Sequence, residues 1–186
     1  MSDPFSTLGL PARFDLSDTD IERAYFERSR AVHPDRVAAG TAAERVAALT
    51  ASRAVNDAYQ AVRRPHRRAE ALLALAGERI AEHERLPAAM IEEVLALREQ
   101  LAEAKHAGDL GAITAMRAAM EARRSAIVNE FAPLFAAARA TDAAAGPGGA
   151  ESALSAVKAR LISLRYVDRY LEECDAALDA ADHADA

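Results

Sequence analysis

The chain has 186 residues, a net charge of −6 and 28% charged residues, long enough for one or two small domains with a real core. No apolar run approaches the roughly 18 residues of a membrane span, and the start MSDPFSTLGL has no basic region followed by a hydrophobic one, so no secretory signal is expected. The single cysteine, Cys174, excludes an internal disulfide framework, a four-cysteine zinc site and a cluster held by this chain's own cysteines, and makes a reducing, bacterial-type cytoplasm the expected compartment.

Alanine alone makes up about a quarter of the residues, against four Tyr, five Phe and no Trp. Alanine is the best helix former and buries little area, so the expected fold is all-α with a thin core. Charge is uneven: residues 1–79 sum to +1 and residues 80–186 to −7. That balance argues against general nucleic-acid binding, which needs a net basic footprint, and fits two halves with different partners.

Pro4 to Leu10 predicts one helical turn anchored by Phe5, Leu8 and Leu10. Ala12 to Leu16 reads as a loop. Ser17 and Asp18 offer an N-cap for a helix to about Val32, with Ile21, Ala24, Tyr25 and Val32 on one face. Arg28 falls close to that apolar stripe, where a leucine is expected. Pro34 ends the helix, so His33-Pro34-Asp35 sits at the start of a loop. A long helix follows from about Thr41 to Arg64, its apolar face using Val46, Leu49, Ala54, Val55, Ala58, Tyr59 and Val62. Pro65 breaks it, and His66 to Leu75 forms a short helix closed by Gly77.

The boundary between the halves is placed at Ile80 to Pro87, where the chain turns acidic and loses its periodicity. Helices are then expected from about Pro87 to Ala107, Asp109 to Arg139 (with a late kink at Pro133) and Glu151 to Ala180. Thr141 to Ala150 reads as a flexible loop, and the tail from Ala181 as frayed. Three helices with short connections pack most economically as an antiparallel bundle. Apolar contact through Leu72, Leu73 and Leu75 would join it rigidly to the first half.

Signatures of chemistry are missing. There is no phosphate-binding glycine loop, no G-x-S-x-G and no H-E-x-x-H. The histidines (His33, His66, His83, His106 and His183) stand at no ligand spacing, so no metal or cofactor is expected. Cys174 has no histidine near it in sequence and reads as an inert helix cysteine. Glu92-Glu93 and Glu172-Glu173 read as solvated helix faces. No enzyme active site is visible.

What remains is His33-Pro34-Asp35 with Arg36, preceded by an amphipathic helix carrying Tyr25 and followed by Asn56-Asp57-Ala58-Tyr59 and Arg64-Pro65. The arrangement resembles the J-domain of DnaJ-type co-chaperones. Physically the tripeptide suits a docking tip: Pro34 fixes the backbone, His33 and Asp35 make directional contacts, and Arg23, Arg30 and Arg36 steer toward an acidic partner. The resemblance implies docking on a DnaK-type ATPase, dedicated (HscA-like) or general, and stimulation of its ATP hydrolysis. Where many J-domains are more basic, this chain has Glu22, Phe26 and Glu27.

The generic DnaJ continues with a Gly/Phe-rich linker and a cysteine-rich zinc region, neither of which is present. Instead PFSTLGLPARFDLS, HPDR, RRPHRRAEALLAL, MIEEVLALREQL and SLRYVDRYLEE follow one another. That order resembles the HscB family of iron–sulfur-assembly co-chaperones over nearly the whole chain. The resemblance implies an L-shaped molecule, a J-domain at residues 1–79 followed by a three-helix bundle at 80–186 that binds an IscU-like iron–sulfur scaffold protein. Matching strings carry the scaffold contacts onto Ile91, Leu95, Glu99 and Tyr166. The helix start Ala89-Met90-Ile91-Glu92 is looser than the family's, so Met90 is the alternative to Ile91, and an adaptor for a different client is the alternative function. No nucleic acid and no membrane are expected as partners.

Overall fold

The computed structural model describes residues 3–37, 39–81, 88–144 and 147–184. Among the described residues seven α-helices run in chain order: α1 Pro4–Leu8, α2 Asp18–Ala31, α3 Ala42–Arg63, α4 Pro65–Leu75, α5 Ala88–Ala107, α6 Leu110–Ala144 and α7 Pro147–Ala184, with a 3-10 turn at Pro34–Val37 between α2 and α3. Among the described residues there is no strand, so the fold is all-α.

Local chemistry sets the helix ends. The Ser17 hydroxyl accepts from the Asp20 amide (3.1 Å) and opens α2, with Asp18 and Asp20 in a first turn that favours negative charge. Thr41 and Glu44 form a reciprocal capping box at the start of α3. Pro65 sits at the first position of α4, where its missing N–H costs nothing. Gly108, at φ +66°, turns the chain out of α5, and Asp109 then caps α6 through the Ala112 amide (2.9 Å).

In the first half, Phe5 and Leu8 of α1 and Ile21 of α2 are buried with Val55, Ala58 and Val62 of α3. In the second, Ile113, Met120, Ile127, Phe131 and Phe135 of α6 are buried with Val157, Leu161, Leu164, Val167, Tyr170 and Cys174 of α7. Both sets belong to one continuous core. Of the described residues of α5, Leu101 and Ala104 are the buried ones, both in its second half.

The halves are joined by a residue pair that no sequence pattern singles out. Arg68 of α4 is only 5% exposed, and a guanidinium tolerates that burial only if its donors are satisfied. It donates to four backbone carbonyls: Val62 (2.7 Å), Phe14 (2.8 Å), Leu16 (3.2 Å) and Arg63 (3.4 Å). Asp18 lies 3.9 Å away. Burial lowers the Arg68 pKa, and Asp18 opposes the shift. Held by this fork, the Phe14 ring packs on Phe131 (5.5 Å) and Phe135 (5.8 Å) of α6. An Arg165–Glu70 pair (3.1 Å) closes the outer edge of the α4–α7 contact.

Several expectations need correction. Val46 and Leu49 are exposed: α3 has 22 residues against 14 in α2 and 5 in α1, so its partners are too short to cover its first turns. Ala54, in the middle of α3 beside the buried Val55, is exposed as well. Leu72 and Leu73 do enter the core, but Leu75, the last residue of α4, is exposed. The loop expected at Thr141–Ala150 is helical up to Ala144 and again from Pro147, because its alanines favour helix and a proline suits a first turn. Residues 145–146 lie outside the described residues. The expected frayed tail is helical as far as Ala184. Pro133, where a late kink is expected, lies inside α6. Most of the boundary region 80–87 also lies outside the described residues.

Replacing Arg68 with Met keeps an apolar stem but orphans buried carbonyls. Urea unfolding of Arg68→Met is expected to show a loss of about 3–4 kcal/mol; a loss below about 1 kcal/mol would mean that the fork does not hold the joint.

Candidate functional site

The tip between α2 and α3 is positioned by an aromatic brace. Tyr25 stacks on Tyr59 (4.2 Å between centroids, 19° between planes), and its hydroxyl donates to Asn56 Oδ1 (2.9 Å). Arg63 lies over the Tyr59 ring at 5.6 Å. These contacts lock α2 against α3, and the chain reverses in the ten residues between them. Pro34 starts the 3-10 turn that does so.

At the tip the Asp35 amide donates to His33 Nδ1 (3.2 Å). The side chains are 57% exposed for His33 and 89% for Asp35, so both are available to a partner. Arg36 reaches back to the Arg30 carbonyl in a long 3.5 Å contact. The structure thus brings His33, Pro34, Asp35, Arg30 and Arg36 together. Arg23 stands two turns earlier, its guanidinium on Asp20. Arg28, at the position where the periodicity asks for a leucine, has its guanidinium over Gly9. A Cβ there would stand 2.7 Å from Nη2 and displace the guanidinium, and Gly9 has φ +74°, a conformation that favours glycine.

The second surface lies along α5. Ile91 and Leu95 are 45% and 55% exposed, and Glu99 continues the same i, i+4 stripe. Beside this stripe a groove runs between α5 and α7, lined by Met90, Val94, Leu97, Tyr166 and Tyr170 among others. Tyr166 is half-buried there, so it belongs to the groove and not to the open stripe. Met90 faces the groove too, its sulfur accepting from the Ser163 hydroxyl (3.4 Å). That leaves Ile91 as the exposed member of the pair.

Polar contacts hold the thinly packed first half of α5. The Tyr170 hydroxyl donates to the Leu97 carbonyl (3.0 Å). Arg98 pairs with Glu173 (3.2 Å). Arg123 of α6 grips Glu93 with both terminal nitrogens. That hydrogen bond holds the Glu93 carboxyl below its ordinary 4.5 and raises Arg123. Glu93 stays on an exposed face, as expected; its ion-pair partner is 30 residues away, beyond any local pattern.

Among the described residues no cluster of three His, Cys, Asp or Glu is arranged to hold a metal; His83 lies outside them. His66 is half-buried at the α4–α7 joint, and burial lowers its pKa against the pull of Asp168 and Glu70. Cys174 is fully buried, which raises its thiol pKa and leaves it unreactive, as expected of a core cysteine. Among the described residues no helix is long and apolar enough to cross a membrane.

A carboxylate whose folded pKa is depressed stabilises the fold above its unfolded pKa, and that contribution is lost as pH falls through the folded value. The Glu93→Gln variant is therefore expected to be less stable than the parent above about pH 4.5 and to converge with it at lower pH. The pair is partly exposed, so the gap should be at most about 1 kcal/mol. Chemical unfolding across this range measures it, and a constant gap would remove the pair from the account.

Residues 86–175 match the family described as the HSCB C-terminal oligomerisation domain. The chain is 33% identical to the co-chaperone protein HscB homolog of Ralstonia nicotianae, over 94% of this chain and 95% of that protein. It is 38% identical to the co-chaperone protein HscB of Proteus mirabilis, where the match spans 58% of this chain and 63% of the relative. Among solved structures, the chaperone HscB from Vibrio cholerae superposes with a TM-score of 0.76 at 23% identity, covering 97% of this chain and 99% of that one. The human co-chaperone HscB superposes at 0.77 and 22% identity, covering 94% and 81%; at such identities the likeness is one of fold. With a relative matched at 33% identity along almost the whole of both chains, the protein belongs to the HscB family of co-chaperones.

Proposed function

We propose that this protein stimulates the ATPase of a DnaK-type chaperone and delivers an iron–sulfur scaffold protein to it during cluster assembly, with no covalent chemistry of its own. Residues 1–79 act as the J-domain and residues 80–186 as the scaffold-binding bundle. His33, Pro34 and Asp35 make the contacts that trigger hydrolysis. Arg23, Arg30 and Arg36 supply attraction to an acidic chaperone surface. Ile91, Leu95, Glu99 and Tyr166 contact the scaffold.

The observation that carries this reading is the tip: a histidine and an aspartate both largely exposed, on a turn fixed by Pro34 and braced by Tyr25, Asn56 and Tyr59. The scaffold surface is supported by its composition. Two large apolar side chains stand open on α5 beside a groove edged with charge, as in transient protein interfaces. Work in the cytoplasm fits the lone, buried, unpaired Cys174. The fold joins the two surfaces through the Phe14 contact, so a client held on the bundle moves with the tip.

Two measurements check this. ATPase assays with the DnaK-type chaperone of the same genome are expected to show stimulation that His33→Gln abolishes while the helical circular dichroism stays unchanged; full stimulation by that variant would remove the tip from the docking role. Calorimetric titration with the iron–sulfur scaffold is expected to show micromolar binding, weakened at least about tenfold by Leu95→Ala with Tyr166→Ala. Normal ATPase stimulation without scaffold binding would instead assign the bundle to another client.

A further inference from the structure

The groove between α5 and α7 has an apolar lining and a charged edge, and it is nearly full. Met90, Val94 and Leu97 of α5, Met120 of α6, and Val167 and Tyr170 of α7 supply the apolar part. Its free volume is about 30 Å³, room for water but far below the roughly 150 Å³ of a cavity that takes a benzene-sized group. Tyr166 lies half-buried in it. A partner resting on the open stripe of Ile91 and Leu95 therefore meets this groove at a closed edge.

The two walls are not equally fixed. Met120, Val167 and Tyr170 are buried, on helices that share most of the core of this half. No residue of α5 from Met90 to Gln100 is buried. Leu101 and Ala104 are, so apolar packing anchors α5 in its second half. The first half is held by polar contacts: Arg123 on Glu93, Arg98 on Glu173, the Tyr170 hydroxyl on the Leu97 carbonyl and the Ser163 hydroxyl on the Met90 sulfur. Both ion pairs are partly exposed, and such pairs hold weakly because water competes for them. A segment with few buried apolar contacts opens locally before the helices it lies on.

We propose that the first half of α5 is a hinged wall. It pivots about Leu101, releases the Glu93–Arg123 and Arg98–Glu173 pairs, and widens the groove to take an apolar side chain of the iron–sulfur scaffold protein beside Tyr166. This rests on the assignment of the bundle to that scaffold and adds how the surface opens. The ion pairs stabilise the closed state, which competes with the partner. Apparent affinity falls with the fraction of molecules that are closed. A residue that latches the wall and a residue that touches the partner thus give opposite signs. Loosening the latch tightens binding, and removing a contact weakens it.

The test combines hydrogen exchange of the full chain with calorimetric titration against the scaffold of the same genome. The variants are Glu93→Gln, Glu93→Gln with Arg98→Gln and, as the contact control, Leu95→Ala. Amides of α5 before Leu101 are expected to exchange at least about tenfold faster than those in the middle of α6 and α7, and faster still in Glu93→Gln. Scaffold binding is expected to tighten about threefold in Glu93→Gln and further in the double variant, and to weaken in Leu95→Ala. Unchanged or weaker binding by Glu93→Gln, with Leu95→Ala weakened, would overturn the hinge and leave the scaffold surface standing. Exchange in the first half of α5 as slow as in α6 would also overturn the hinge. No binding by the unmodified chain to the folded scaffold would overturn both.

Discussion

A buried guanidinium organises this molecule. Arg68 is taken out of water and compensated by backbone carbonyls from two segments far apart in sequence, the loop at Phe14–Leu16 and the end of α3. A charge in that position is costly unless every nearby acceptor is in place. The fork therefore enforces one path for a loop that has no regular structure of its own. The consequence is the position of Phe14, whose ring fills the space beside Phe131 and Phe135. Without the loop held in that path, α6 would lose the aromatic contact that ties the halves into one core.

Rigidity is distributed unevenly around that joint. The tip gains its definition from the stacking of Tyr25 on Tyr59 and the bond from Tyr25 to Asn56, which fix the two helices and leave the turn between them exposed. The bundle is built differently. The long helices α6 and α7 share most of the buried side chains, whereas the first half of α5 is held by ion pairs and one hydroxyl bond. Few buried apolar contacts mean low local stability. An element of that kind can adjust its groove to a partner at small cost, which suits a surface that must bind and release.

The two proposed docking surfaces differ in physics as a result. At the tip, fixed geometry and polar groups favour a directional contact. Along α5, open aliphatic side chains over a loosely held helix favour apolar burial with adjustment. Under the proposed function, a chain that engages an ATPase and a client together gains from having one surface of each kind.

Much of this fold is legible in the amino-acid order. Periodicity, prolines and glycines place every helix, since these signals act within a few residues: Ser17 caps its own helix, and Gly108 turns out of its own. The tip is legible because proline imposes its geometry locally. Residues 141–150 mislead because their glycines and proline signal a loop while their alanines carry α6 to Ala144. Val46 and Leu49 mislead too, because periodicity shows which residues share a face, but not whether another helix is long enough to cover it. The joint is not legible at all. Arg68 reads as one of several arginines in RRPHRRAE, and Phe14 as a loop residue, because carbonyls some fifty residues away satisfy the first and a helix in the other half buries the second. The sequence by itself determined which segments are helical, the helix ends outside residues 139–151 and the C-terminal tail, and the exposed turn, since those depend on interactions a few residues long. Only the tertiary structure decided which apolar faces are covered and where the halves meet, since burial depends on what lies across the gap.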